Sequence, residues 1–188
     1  MTPDKIAFYD FDGTLFRSPE KPSGWTKGWW GNIVSLSPPI VPEEPGSDWW
    51  IGSVVQRAKR DIADPETLTV LITGRIASKF TARLKDLLRG VGLKFDHVYL
   101  NPGDDTEPFK LGVLDKLLKD HTTARGVDIW EDRAPHLRRY ADFVESKGVA
   151  AFPHLVTVPA REPEALPEEM SRTASPEVVA ARYRGVVR

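Results

Sequence analysis

The feature that most constrains this chain is a repeated alternation of short β-rich apolar runs and amphipathic helical stretches. Lys5 to Phe11 reads as a first strand. Leu68 to Thr73, Phe95 to Leu100, Val127 to Glu131 and Val149 to Val158 follow as further strands, the last interrupted by Pro153 and therefore weaker or at an edge. Between them lie four helical patterns. The first carries Ile51, Val54, Val55, Ala58 and Ile62 on one face, with Asp48 as candidate cap and Asp64–Pro65 as its end. The second carries Ile76, Phe80, Leu84, Leu87 and Leu88, is entered through a Gly74–Arg75 turn and closes at Gly90 and Gly92. The third starts at Thr106 as candidate N-cap and buries Leu111, Leu114, Leu117 and Leu118; the fourth is marked by Leu137, Tyr140, Ala141 and Val144. Strands that alternate with helices imply an α/β fold, a Rossmann-like, doubly wound and mostly parallel five-stranded sheet with helices on both faces.

Two stretches break the pattern. From Arg17 to Trp50 the chain is rich in Pro and Gly, yet it holds Trp25, Trp29, Trp30, Trp49 and Trp50. Each of those rings gains by burial, so the insertion (about residues 17–50) is expected to be an ordered cap, its tryptophans forming a small core or offering base-stacking surfaces. From about Pro159 onward the chain turns polar and Pro/Glu-rich; residues 159–188 read as a peripheral tail with a last helix near 176–184. The 188 residues suit one main domain over residues 1–158.

Composition narrows the function classes. Net charge is −1, so no bulk basic field draws the chain to nucleic acid or membranes, and such binding must be local. The chain has no cysteine, which excludes disulfides and thiolate metal sites and fits a cytoplasmic setting. No apolar run is long enough to cross a membrane, and the first residues do not read as a signal peptide.

The chemistry gathers at strand ends, where open α/β sheets bind ligands. Asp10 and Asp12 end the first strand before a tight Gly13–Thr14 turn. Side chains two apart on a strand share a face, so both carboxylates can meet one site. At an effective dielectric of ~20, two such charges ~4 Å apart repel by about 4 kcal/mol, and a cation or a proton must offset this. Thr73 ends the second strand, with Gly74 and Arg75 just after it; Glu131 and Asp132 end the fourth, followed by Arg133. Lys110 falls in the first turn of a helix, where the macrodipole disfavours a cation.

These residues resemble the four motifs of the haloacid-dehalogenase-like (HAD) phosphohydrolases: DFDGT at Asp10 to Thr14, LITGR at Leu71 to Arg75, Lys110, and Glu131–Asp132. Leu15, Phe16 and Pro19, the paired tryptophans, and the EDRxxH run from Glu131 to His136 look more specifically like the Swiss Army Knife RNA repair-like HAD group. The phosphatase half of phage polynucleotide kinase–phosphatase has a related acid–acid–Arg run, whereas the Gly-rich kinase loop is absent here. Two departures stand out: the first acid of the fourth motif is Glu131 instead of Asp, and the subgroup likeness rests on scattered residues.

The resemblance implies roles. Asp10 would attack phosphorus to form an aspartyl phosphate, and Asp12 would act as general acid and then base. Mg²⁺ would be held by Asp10, the backbone carbonyl of Asp12, and Asp132, with Glu131 at second remove or through water; an all-oxygen set argues against zinc. Thr73 and Lys110 would bind phosphate oxygens. Thr14, Gly74, Arg75 and Arg133 are candidate substrate contacts, although Arg75 and Arg133 could instead hold loops, and His136 reads as a helix-surface histidine. The substrate implied is a phosphomonoester at an RNA or DNA end, most simply a 3′-phosphate, with ligase or kinase partners acting in trans. A small-molecule phosphatase such as a nucleotidase is the alternative, and a non-enzymatic binding module the third reading.

Overall fold

The computed structural model describes residues 3–23, 25, 27–159 and 161. It has five strands, β1 (Lys5–Asp10), β2 (Thr67–Ile76), β3 (His97–Asn101), β4 (Gly126–Glu131) and β5 (Ala150–Leu155). Four helices connect them: α1 (Gly52–Ala63), α2 (Ala77–Val91), α3 (Thr106–Asp120) and α4 (Ala134–Ser146). The sheet runs β3-β2-β1-β4-β5 with every pairing parallel. β1 is central because Ile6, Ala7, Phe8 and Tyr9 are apolar on both faces and fully covered. Ala7, Tyr9 and Leu71 pack under α1 and α2; Ile6, Phe8, Val70, Ile72 and Ile129 pack under α3 and α4. The doubly wound arrangement expected from the sequence is what forms.

The Trp-rich insertion does not build a core of its own. Trp25, Trp29, Trp49 and Trp50 are buried and continuous with the core under α1 and α2. Phe16 stacks on Trp49 at 5.7 Å and meets Trp50 edge-on at 4.9 Å. Short 3-10 turns at Ile33–Leu36 and Ser47–Trp49 are its regular structure. Arg83 on α2 staples it down: Nε donates to the Leu36 carbonyl at 2.7 Å, and the terminal nitrogens donate to the carbonyls of Glu43 at 2.8 Å and Pro42 at 2.6 Å.

Four local expectations are corrected. Gly74 and Arg75 do not turn the chain; β2 runs on to Ile76 through a register shift between Thr73 and Ile76. The N-cap of α3 is Asp105, so Thr106 is the first helical residue and Lys110 sits one position beyond the first turn. Asp48 does not cap α1, whose N-cap is Ile51; it pairs with Arg161 at 2.6 Å. That pair, with Arg161 also 4.0 Å over the Trp49 ring, ties Arg161 to the insertion. The helix expected near 176–184 lies outside the described residues. β5 does lie at the edge, with Pro153 opposite Ile129. Among the described residues, no helix is long and apolar enough to cross a membrane.

Candidate active site

Three loops after β1, β2 and β4 converge at the carboxyl edge of the sheet. They surround an open cavity of about 990 Å³. Asp10, Asp12, Gly74, Lys110 and Asp132 line its floor, Trp30 and Gly31 contribute from the insertion, and Val156 to Pro159 contribute from the chain after β5.

Asp10 points toward α3, where Lys110 is buried to 1% exposure. The ammonium lies 2.8 Å from Asp10 Oδ1 and 2.9 Å from Glu131 Oε2, bridging both acids. Helix α3 can bring it there because Gly74 has no side chain: a Cβ at that position would stand 2.9 Å from Thr106 Oγ1. Asp132 reaches the same place past Gly13. This residue has φ +71°, and a Cβ there would stand 2.4 Å from Asp132 Oδ2. Asp10, Glu131 and Asp132 thus each offer an oxygen, all within 4.8 Å of one another.

The electrostatics suit a cation. Three acids face one lysine, so a net negative charge is held at a largely desolvated point. Burial pushes the Asp10 carboxyl up to about 8, against the pull of Lys110 and with help from Glu131 and Asp12. Burial, then the hydrogen bond and charge of Glu131, push Asp132 up to about 7. Burial also opposes ionisation of Glu131, but Lys110, the Asp132 hydrogen bond and Arg133 together outweigh it and hold that carboxyl below its ordinary range. The same two acids outweigh desolvation at Lys110 and raise its pKa, so it stays charged. Hard oxygen donors at this spacing suit a small divalent ion such as Mg²⁺.

Asp12 leads a separate existence. Its carboxylate turns toward the insertion side, where Arg75 takes it in a fork: Nε donates at 3.1 and 3.0 Å and Nη2 at 2.7 Å. Ser18 Oγ donates to it as well. Burial raises its pKa, but Arg75 and Ser18 prevail and keep it below the usual carboxylate range. Asp10 and Asp12 therefore share the cavity while pairing with different cations. Asp12 is outside the cluster of side-chain oxygens that converges on Asp132.

The expected substrate contacts are placed unevenly. Arg75 is buried to 1% exposure, and its hydrogen bonds run to Asp12, to the Trp30 carbonyl at 2.8 Å and to Ser35 Oγ. It holds Asp12 and the insertion in place. Arg133 is half-exposed on the cavity wall, its Nε 3.5 Å from Glu131 Oε1. Gly74 lines the cavity. Thr14 is fully buried with its hydroxyl lacking a hydrogen-bond partner, so it faces the interior. Thr73 is buried too; its hydroxyl accepts from the Arg75 N–H at 3.1 Å and lies 3.4 Å from Asp12. His136 lies on α4, 3.4 Å from the Tyr140 hydroxyl, and is partly buried instead of standing on the helix surface.

Sequence reasoning missed Ser18, Ser35 and Asn101. Asn101 Oδ1 accepts from the N–H groups of Gly103 and Asp104, both at 2.8 Å, shaping the loop before α3. An Asn followed by Pro and Gly after a strand is a readable signal for such a loop. Ser35 carried no such signal, because Arg75 reaches it from 40 positions away; Ser18 meets Asp12, 6 positions away, only through the fold of the stretch between them, which has no regular period.

The chain is similar to known proteins. The chain is 22% identical to the uncharacterized protein YMR265C of Saccharomyces cerevisiae over 174 residues, covering 76% of this chain and 37% of the yeast protein. Its fold is similar to a chain in the structure of the Pnkp1/Rnl/Hen1 RNA repair complex, with a TM-score of 0.53, 12% identity, and coverage of 82% of this chain and 43% of that one. The chain therefore spans less than half the length of each. The family described as HAD domain family 1 in Swiss Army Knife RNA repair proteins matches residues 12–171, and this chain belongs to it.

Proposed function

We propose that the protein is a Mg²⁺-dependent phosphohydrolase that removes a terminal phosphate, a 3′-phosphate first, from nucleic-acid ends during repair. The observation that carries this reading is the convergence of Asp10, Glu131 and Asp132 within 4.8 Å beneath an open cavity, with Lys110 on Asp10. The family's place in RNA repair proteins supports the substrate class.

In this reading an Asp10 carboxylate oxygen bonds to phosphorus while the bond from phosphorus to the leaving oxygen breaks, giving an aspartyl phosphate and an alcohol. Water then attacks that phosphorus, inorganic phosphate leaves, and the Asp10 carboxylate returns. Lys110 favours the ionised form of Asp10 against the effect of burial, a divalent ion would complete that ionisation, and the ammonium offers charge to the phosphate oxygens. Asp12 supplies the leaving oxygen's proton and recovers one from the attacking water. It is held as a carboxylate by Arg75, so donation requires that pair to open and the carboxylate first to take up a proton from solvent, which the attacking water later restores. Asp10 and Asp132 side chains, with the Asp12 carbonyl, would hold Mg²⁺, and Glu131 would steady Lys110; the ion would supply charge neutralisation as phosphate approaches. Ligase or kinase partners acting in trans would complete the repair.

The test is a Mg²⁺-dependent assay with 3′- and 5′-phosphorylated oligonucleotides, free nucleotides and p-nitrophenyl phosphate. The 3′-phosphorylated oligonucleotide is expected to show the highest kcat/KM, and Asp10→Asn to remove turnover. Turnover of that oligonucleotide no better than p-nitrophenyl phosphate, or a preference for free nucleotides, would overturn the nucleic-acid reading.

A further inference from the structure

We infer that Trp30 is a stacking platform for the base of the terminal nucleotide, whose sugar bears the scissile phosphate, an inference that rests on the nucleic-acid reading of the site and names how that substrate is gripped. Four of the insertion's five tryptophans, Trp25, Trp29, Trp49 and Trp50, are buried, whereas Trp30 is 46% exposed. It is not a stray surface ring. It lines the same cavity as Asp10, Lys110 and Asp132.

The indole is also held. The Arg75 guanidinium carbon lies 5.1 Å from the Trp30 ring centroid and 4.9 Å from that of Phe80, so the cation is layered between two aromatic side chains. The same guanidinium donates to the Trp30 carbonyl at 2.8 Å. Both backbone and ring are thus fixed to one buried group, and a preset ring loses little freedom when a flat ligand covers it. An exposed, held indole in the same cavity as the acidic cluster suits a nucleobase, because every base has a π-face that stacks without sequence preference.

Charge points the same way. The basic and acidic side chains lining the cavity nearly balance, so it is no cationic channel for a phosphate backbone. Grip on a polymer end therefore has to come from the base itself, and binding is expected to vary weakly with salt.

The test compares two 3′-phosphorylated oligonucleotides that differ only in whether the last residue carries its base or is abasic. Wild-type protein is expected to favour the base-bearing end in kcat/KM by about 5- to 150-fold. Trp30→Ala is expected to erase that preference, and Trp30→Phe to restore most of it. Equal use of both ends by the wild type, or a parallel fall on both in Trp30→Ala, would overturn the platform. A second arm needs no turnover: in Asp10→Asn protein, the base-bearing oligonucleotide is expected to shield Trp30 from acrylamide quenching, and the abasic one to shield it less. Failure of the wild type to hydrolyse any oligonucleotide would overturn the proposed function, while equal shielding by the two would overturn the platform.

Discussion

Gly13 decides whether the acidic cluster can exist. It carries φ +71°, a conformation that residues with a Cβ seldom adopt, and it leaves room for Asp132. Gly13→Ala would place a methyl group where the Asp132 carboxylate now lies. Mg²⁺ affinity by titration calorimetry is expected to fall about 10- to 100-fold, the scale seen when a ligand loses its support. Unchanged affinity would mean that Asp132 is not a ligand. The DxDGT run was legible as an acidic strand end at this scale. The division of labour inside it was not. Asp10 faces Lys110 from α3, and Asp12 faces Arg75 from β2, so two residues adjacent in pattern are sorted by partners 100 and 63 positions away. Nothing local in the sequence encodes that sorting.

At the scale of elements, the insertion is held by backbone carbonyls more than by its own regular structure. Arg83 supplies three donors to Leu36, Pro42 and Glu43 from an almost buried position. Burial lowers its pKa somewhat, and the nearby Glu43 charge works against that shift. Arg83→Ala would leave those carbonyls without their partner, at a cost of about 2 kcal/mol or more. Hydrogen exchange is expected to quicken in residues 34–43 while β1 and β4 stay protected. Equal protection throughout would show that the tryptophans alone anchor the insertion. Sheet and helices were readable because each has one clear period of apolar residues. The docking of the insertion was not, since carbonyl acceptors leave no trace in residue identity. The Gly74–Arg75 pair misled for a related reason: the Gly signals a close approach by Thr106, and the chain continues as strand through it.

For the whole molecule, the sheet brings acids from two strand ends against one lysine, and this couples metal, protons and stability. Asp10 at about 8 and Asp132 at about 7 lie far above the ordinary carboxylate value of about 4. Between about 4 and those values the native state holds more protons than the unfolded chain, so these groups favour folding in acid and lose that contribution as pH rises through about 7 to 8. A divalent ion competes with those protons. The rise in Tm on adding Mg²⁺ is therefore expected to be larger near pH 8.5 than near pH 5.5; an equal or smaller rise would contradict a cation site at these acids. The central claim, that Asp10 carries the phosphoryl group, is met most directly by borohydride trapping during turnover of a 3′-phosphorylated oligonucleotide, followed by peptide mass spectrometry. Conversion of Asp10 to homoserine is the expected result. Product formation with homoserine at another acid, or with none trapped at all, would contradict it.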